Sequence, residues 1–496
     1  MAADTRAQQV IVRGAGANAL SFVLRFAARA GFLWIGAHLY GAATYGAFSL
    51  AVAIVELAVP IASLGLKRMI FPWLEQEVDS RNPAHVLLDA LLIGTIGTAI
   101  VALIILAATS AMPAGLVSGG TRFALAALAP ALVGQVIADI ALAATRWKQV
   151  MRYEVAGRGA IEPYVGTAVA AIAWSIGWQA SGLLVSYGSG SLVLAVYAVW
   201  SARRTFGSFS LGSWRPHPGQ LLARSASLLT ASGSDALTAL AQRADLYLVG
   251  LTLGDAAAGV YGVIRQLRTP ILQVRQAFDG ILTPIIARTL SHAGQVETGA
   301  ATAAATRMIL TAQLAVVLLM VAAGEPLLGL FGPRYTGGYP ALLALSLAET
   351  LNGAFGVSEM IIYYLRPARA LAINSAMIAV TVIVIPPLAS RLGINAAALA
   401  VLIAPLLAVW LRWSWLADFG IRHHALHAAP PIVAAVAGAL LGGGLRWSLS
   451  GGLAGLPTEV AALLPPLAAL ASYALIIGIW VRRRPDALSL ARFRVG

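Results

Sequence analysis

Arginine is the side chain best suited to grip a phosphate, because its guanidinium is planar, permanently charged and donates hydrogen bonds through a two-pronged fork. Two arginines four residues apart, Arg25 and Arg29, stand inside the apolar run "ANALSFVLRFAARAGFLWIGAHLYG" at residues 17–41. Arg243, Arg265, Arg268 and Arg275 stand inside two later apolar runs. A charged residue at the centre of a membrane helix costs about 2.5 to 3.5 kcal/mol on insertion scales, so cations held there call for an anionic partner or a wet cavity. The i, i+4 spacing places Arg25 and Arg29 on one helix face, and Arg265, Arg268 and Arg275 fall within about 80° of one another.

Carboxylates and amides form matching stripes. Asp235, Thr238, Gln242 and Asp245 share one face of a helix, Glu349, Asn352 and Glu359 share another, and Gln135 and Asp139 are spaced i, i+4. Buried acids of this kind serve ion or proton coupling, or alternatively hydrogen bonding between helices. The acids Glu56, Asp139, Asp235, Asp245, Asp279, Glu349 and Glu359 are also available as structural partners for the arginines, Arg29 with Glu56 for example.

These residues need an apolar scaffold, and composition supplies one. The chain has 496 residues, of which 59% are hydrophobic and 11% charged, and its mean hydropathy is +0.81. Such a chain has too little polar surface for a water-soluble fold and reads as an all-α polytopic membrane protein. Apolar runs of about 20 residues match the hydrocarbon thickness of a bilayer. Fourteen spans are expected, at about 17–40, 44–66, 84–109, 122–145, 159–180, 182–202, 225–253, 257–287, 306–330, 338–364, 368–389, 393–415, 430–448 and 459–481. The N-terminal segment lacks a short apolar core with a small-residue cleavage site, so the first span is expected to be retained.

Charge sets the orientation. With the N-terminus inside, 24 of the 34 lysines and arginines fall in cytoplasmic segments, among them Lys67, Arg146, Arg158, Arg307 and Arg412. Only Arg122, Arg334, Arg391 and Arg446 fall outside, which is the bias of an inner-membrane protein with both termini cytoplasmic. The same bias accounts for a pI near 10.6 without nucleic acid. The six span-embedded arginines are the remainder. Counted at 1.5 Å per residue from the outer turns, Arg29, Arg243 and Arg268 each lie roughly 15 Å deep, near the midplane. Arg25 and Arg275 lie close enough to the inner boundary to line a cavity or to snorkel to the interface.

The turn "GAATYGAFSL" at Gly41 is echoed by "GDAAAGVYGV" at Gly254, with Gly41, Ala43, Gly46 and Phe48 matching Gly254, Ala256, Gly259 and Tyr261 at a constant offset of 213. The echo indicates a duplicated six-helix bundle, an arrangement found in transporters whose site lies at the midplane. The expected organisation is an N-terminal lobe at 1–224, a C-terminal lobe at 225–416, and two appended spans with a tail at 417–496. No glycine-rich phosphate loop followed by lysine is present, so an ATP motor is not expected. The chain has no cysteine, and His423, His424 and His427 read as part of a basic loop rather than a metal site. No resident cofactor is expected. A membrane glycosyltransferase is disfavoured because the outer loops are too short to hold sugar chemistry.

Three stretches carry a resemblance: "GAATYGAFSLAVAIVELAVPIASLGLKRMI", "RADLYLVGLTLGDAAAGVYGVIRQL" and "EPLLGLFGPRYTGGYPALLALSLAETLNG". From about residue 8 to residue 415 the chain resembles the polysaccharide-transporter flippases, the Wzx-type exporters of the multidrug/oligosaccharidyl-lipid/polysaccharide superfamily. The resemblance implies two six-helix lobes forming a V-shaped central cavity, plus two further helices. It also implies alternating access that carries an undecaprenyl-diphosphate-linked oligosaccharide across the membrane for O-antigen, capsule or exopolysaccharide assembly, not an enzymatic activity. The implied partners are that lipid-linked substrate, membrane lipids and the polymerase or export machinery. Arg25, Arg29, Arg265 and Arg268, with Arg243 beside them, take the diphosphate- or glycan-binding role by this resemblance. Asp235 and Asn374 match two places of a sodium site in lipid II flippase relatives; the second acid of that site has no match in "NSAMIAVTVIV", and a proton route through Asp235, Glu349 or Glu359 is equally open. The neighbouring readings are a lipid II flippase and a multidrug exporter of the same superfamily, whose usual organic-cation substrates fit poorly with the embedded arginines.

Overall fold

The computed structural model describes residues 27–77, 82–113, 115, 117–148, 150–207, 214–216, 218–292, 294–421, 429–450, 458–484 and 488. Arg25 and the histidines at 423, 424 and 427 lie outside these residues. The fold is all-α. Helix α1 covers residues 27–39, the last five of which, Ile35–Leu39, are π-helical. Then follow α2 (Ala42–Ala62), α3 (Leu66–Glu77), α4 (Pro83–Ala111), α5 (Gly119–Leu128), α6 (Ala131–Trp147), α7 (Arg152–Ala156), α8 (Glu162–Ser175) and α9 (Gly182–Phe206). The second part of the chain forms α10 (Pro218–Leu253), α11 (Asp255–Leu267), α12 (Thr269–His292), α13 (Gly294–Gly329), α14 (Pro333–Thr336), α15 (Tyr339–Phe355), α16 (Val357–Leu365), α17 (Pro367–Leu392), α18 (Ile394–Asp418), α19 (Ala429–Ser450) and α20 (Thr458–Arg483).

Where the expected spans fall on described residues they coincide with a helix or a helix pair, residues 17–26 of the first lying outside them, but only part of them are uniformly apolar. Among the described residues eight helices are long and apolar enough to cross a membrane, or ten if the bent pairs α5–α6 (47°) and α15–α16 (48°) each count as one span. The remaining four positions are α1, α7–α8, α10 and α11–α12. Helix α1 is described over only 13 residues, while α10 and α11–α12 carry embedded arginines and acids that dilute their hydropathy.

The helix breaks have local causes. Pro130 stands at the α5–α6 bend and Gly356 at the α15–α16 bend. The eighth span was expected as one helix over 257–287; it is instead interrupted between Leu267 and Thr269. Pro270 explains this, because it offers no N–H to the turn before it. Arg268 sits in that interruption. A further departure follows α2, where the chain turns through Leu64 (φ 50°) and Gly65 (φ 69°) into α3 instead of continuing to residue 66. Leu66, Ile70, Trp73 and Leu74 turn one face of α3 into the core, as expected of an amphipathic helix.

Residue contacts divide the chain into two compact units, Met1–Arg243 with Gly254–Gly259, and Ala244–Leu253 with Val260–Gly496. The first is centred on α3, α4, α6 and α9, with Leu87, Val136, Ile140, Leu142 and Leu194 in its core. The second is centred on α12, α13, α15 and α18, with α19 and α20 packed on each other and on α13.

The sequence echo has a structural counterpart inside the first unit. Gly41 and Gly254 both adopt φ 81° and lead into helices one residue later. Beyond these turns the two backbones touch reciprocally. A β-carbon at Gly46 would collide with the Asp255 carbonyl and lie 2.7 Å from the Gly259 nitrogen. One at Gly259 would collide with the Ala42 carbonyl and lie 3.1 Å from the Gly46 nitrogen. Since 42 and 255, like 46 and 259, differ by 213, each contact is the image of the other. The Asp255 carboxylate adds hydrogen bonds from Ser118 and, at 2.8 Å, from Thr121 at the start of α5.

Candidate functional site

In the second unit, two predicted arginines are held by acids from other segments. Arg265 on α11 places Nε 3.1 Å from Asp245 Oδ2, and the Tyr261 hydroxyl donates to the same oxygen at 2.9 Å. Arg268, at the break in span eight, places Nη1 3.6 Å from Glu349 Oε2 on α15. That separation exceeds hydrogen-bond range, so Arg268 is attracted to Glu349 without being locked to it. A residue expected to bind substrate thus faces one expected to couple an ion. Arg275 donates Nη1 to the Asn352 carbonyl at 3.2 Å.

In the first unit, Glu56 forms an ion pair with Arg243. Arg29 is exposed on α1. Below this pair a cavity of about 580 Å³ is lined by Ser63, Lys67, Asp139, Arg146, Asp235 and Gln242, with Pro60 and Phe71 in its apolar wall. Asp235 and Gln242 were read from the sequence as members of one stripe, and both line this cavity, whereas Asp245 of the same stripe pairs with Arg265. Asn374, the other half of the sodium assignment, is half-buried on α17 in the second unit.

Lys67 and Arg146 are cavity residues that sequence reasoning had assigned to topology. The positive-inside rule accounts for any basic residue near a span end, and so conceals those that also face a cavity. Lys67 lies 3.2 Å from Asp139 Oδ1, and Arg158 Nη2 lies 2.5 Å from the same oxygen. Asp139 is 9% exposed and Lys67 44%, so the two cations are unequal partners. Replacing Lys67 by methionine is expected to cost under about 1 kcal/mol, whereas Arg158→Met, which removes the closer and less exposed cation, is expected to cost about 3 kcal/mol or more. Thermal unfolding of the two purified variants checks the order. Gln135 extends the network by donating to Glu162 at 2.7 Å and to Ser191 at 2.8 Å.

Two more topology arginines are buried. Arg307 is 8% exposed and Arg412 1%, the latter donating to Glu359 at 2.6 Å. Glu359, an expected coupling acid, is therefore neutralised by a cation two helices further on. Among the described residues no group of histidines and acids is arranged to hold a metal.

A family model described as polysaccharide biosynthesis protein matches residues 37–337, which is more than half of the chain. The chain belongs to the polysaccharide biosynthesis protein family. The match includes both echoed turns and the segments bearing Glu56, Arg243, Arg265 and Arg268. Among curated proteins none matches this family member significantly. Among solved structures it is similar to the lipid II flippase MurJ in its inward closed conformation, with 11% identity, a TM-score of 0.73, and coverage of 94% of this chain and 99% of that one. It is also similar to an inward-facing multidrug resistance MATE transporter of the MOP superfamily, at 13% identity and a TM-score of 0.64 over 78% of this chain and 94% of that one. A MOP superfamily transporter from Pyrococcus furiosus matches at 15% identity and a TM-score of 0.52 over 80% and 93% of the two chains. These likenesses establish the fold of this multi-pass membrane protein, which is the one shared by flippases and drug transporters of that superfamily.

Proposed function

We propose that the protein is a flippase that carries an undecaprenyl-diphosphate-linked oligosaccharide from the cytoplasmic to the periplasmic leaflet of the inner membrane by alternating access, without enzymatic chemistry. Both termini are cytoplasmic in this reading. The observation that carries it is the set of span-embedded ion pairs: Arg243 with Glu56, Arg265 with Asp245, and Arg268 with Glu349. An arginine that must wait in an apolar environment for a phosphate needs a carboxylate to hold it meanwhile. A diphosphate offers the same bidentate acceptor geometry with more charge, so it can replace the carboxylate. Proton uptake by the displaced acid would then offset part of the charge the diphosphate brings, and its loss would restore the ion pair and release the substrate. Glu349 is the leading acid for this step because its arginine is held at 3.6 Å. Arg25 and Arg29 extend the basic set on the first span, and Asp235 in the 580 Å³ cavity is a further coupling acid.

Membership of the polysaccharide biosynthesis family supports a glycan-linked cargo. The likeness to a lipid II flippase over nearly all of both chains supports peptidoglycan precursor as the second reading. A multidrug cation exporter fits poorly with arginines at these positions.

The test is translocation in proteoliposomes loaded with defined diphosphate-linked glycans under imposed proton or sodium gradients. Transport of an oligosaccharide-linked substrate, driven by a proton gradient, is the expected result. Transport of lipid II alone selects the second reading, and efflux of organic cations with no lipid movement overturns both.

A further inference from the structure

The exposed side of α9 carries a row of residues that the substrate reading does not use. Leu192, Val196, Trp200 and Arg204 follow one another at intervals of four, which on a helix makes a single slanting row with steps of about 6 Å. The first three are 63%, 64% and 47% exposed, and Arg204 is exposed as well. Along this row the chemistry passes from aliphatic through aromatic to cationic as the end of the helix is approached. Helix α9 is one of those long and apolar enough to cross a membrane, so the row runs from the lipid-facing surface to the boundary with water.

The cationic end is built from two helices. The Arg204 guanidinium carbon lies 5.4 Å from the centre of the Trp200 ring, and that of Arg152 on α7 lies 5.0 Å from the centre of Tyr153. The two rings meet edge to face at 6.0 Å, and Tyr197 touches both, stacking on Trp200 at 5.7 Å. Lys148 repeats the arrangement over Trp147, whose ring stacks on Phe206. A ring face attracts a cation but carries no net charge, so each guanidinium is positioned without being neutralised.

The carboxylates nearby are taken by other groups. Glu154, two residues beyond Arg152, is held by Arg146 at 3.1 Å, and Glu75 accepts from Trp147 Nε1 at 2.7 Å. Among the described residues no carboxylate lies within ion-pair reach of Arg152 or Arg204. Arg369 in the second unit shows the contrast: it also lies over two rings, Trp415 and Phe419, but Asp418 neutralises it at 3.0 Å. The positive-inside rule explains why cations gather at a span end; it does not place two of them on touching rings with no acid beside them.

We propose that this surface binds an anionic glycerophospholipid. Its phosphodiester is held by Arg152 and Arg204, and one acyl chain lies along Val196 and Leu192. A free phosphate would use the guanidiniums but leave the apolar part of the row without a purpose, and a zwitterionic lipid would bring a cation of its own to a site that already has two.

The experiment is thermal unfolding of the purified full-length protein in dodecyl maltoside with increasing mole fractions of dioleoyl phosphatidylglycerol. The midpoint is expected to rise by about 3 °C and to saturate. Dioleoyl phosphatidylcholine, which has the same chains, and glycerol 3-phosphate, which has the headgroup without chains, should each give less than about a third of that gain. In the double variant Arg152→Gln with Arg204→Gln, half-saturation should move to a mole fraction at least about tenfold higher. Removing the same charge from the exposed end of α20, by Arg482→Gln with Arg483→Gln, should move it less than about twofold. No gain with phosphatidylglycerol, or an equal gain with phosphatidylcholine or with glycerol 3-phosphate, overturns the proposal. So does an unchanged half-saturation in the Arg152 and Arg204 variant, or an equal change in the α20 variant. If the Arg152 and Arg204 variant fails to fold, Trp200→Leu decides in its place: it keeps the cations and removes the ring beneath Arg204, and half-saturation should rise about threefold. An unchanged value there counts against the site.

Discussion

Replacing Gly259 by alanine is expected to lower stability by about 3 kcal/mol and to remove most transport, although glycine to alanine inside a helix is ordinarily favourable. The reason is the backbone contact beyond the outer turns, where a β-carbon at 259 runs into the Ala42 carbonyl. A backbone carbonyl cannot rotate away as a side chain does, so the helices must separate. Gly46→Ala should have a matching effect, because its β-carbon meets the Asp255 carbonyl in the equivalent place. The sharper expectation concerns the pair: once one substitution has forced the backbones apart the second finds room, so the double variant should cost clearly less than the sum. Thermal unfolding of the two single variants and the double variant measures this. Additive losses, or a neutral Gly259→Ala, would show that the reciprocal contact is not what these glycines serve.

The second large effect is expected at Arg268 and Glu349. Their side chains are 17% and 9% exposed, so removing either one leaves a charge with little access to water. Arg268→Met alone and Glu349→Leu alone should each cost about 3 to 5 kcal/mol. The double variant should recover most of that stability, because apolar residues of similar volume commonly replace a buried ion pair without loss. Transport should not recover, since no guanidinium would remain at the break in span eight to take the diphosphate. A double variant that is stable and transports like the wild type would make the pair structural and remove Arg268 from the substrate proposal. A control at Arg446, which pairs with Glu325 at partly exposed positions, should show small effects in every arm.

Much of the scaffold was legible in the sequence because membrane physics leaves few choices. The length of an apolar run sets each span, and the turns at Gly41 and Gly254 repeat closely enough to be aligned by eye. What a single helix cannot state is which neighbour its polar face meets. Glu56 was matched with Arg29 by depth, and the cation the structure sets on it is Arg243, from a helix far away in sequence. Arg412 sits near the C-terminal end of α18, where the positive-inside rule was enough to account for it, and only packing shows that it is enclosed. Lys67 and Arg146 were concealed in the same way. The break at Arg268 did have a sequence signal, Pro270, whose effect on the preceding turn deserved more weight than the continuous apolar pattern around it.

The reciprocal contact of Gly46 with Asp255 and of Gly259 with Ala42 also says something about descent. A patch that touches its own image across a two-fold axis is the mark of an isologous interface, the kind formed between two identical subunits. If the two segments arose by duplication, the founding six-helix protein already possessed both sides of that interface on a single chain. Two copies in the same membrane orientation could have met through it before any gene fusion. Joining them covalently would have preserved the contact while freeing each side to diverge, and the retention of glycine at both places records how little room the interface allows.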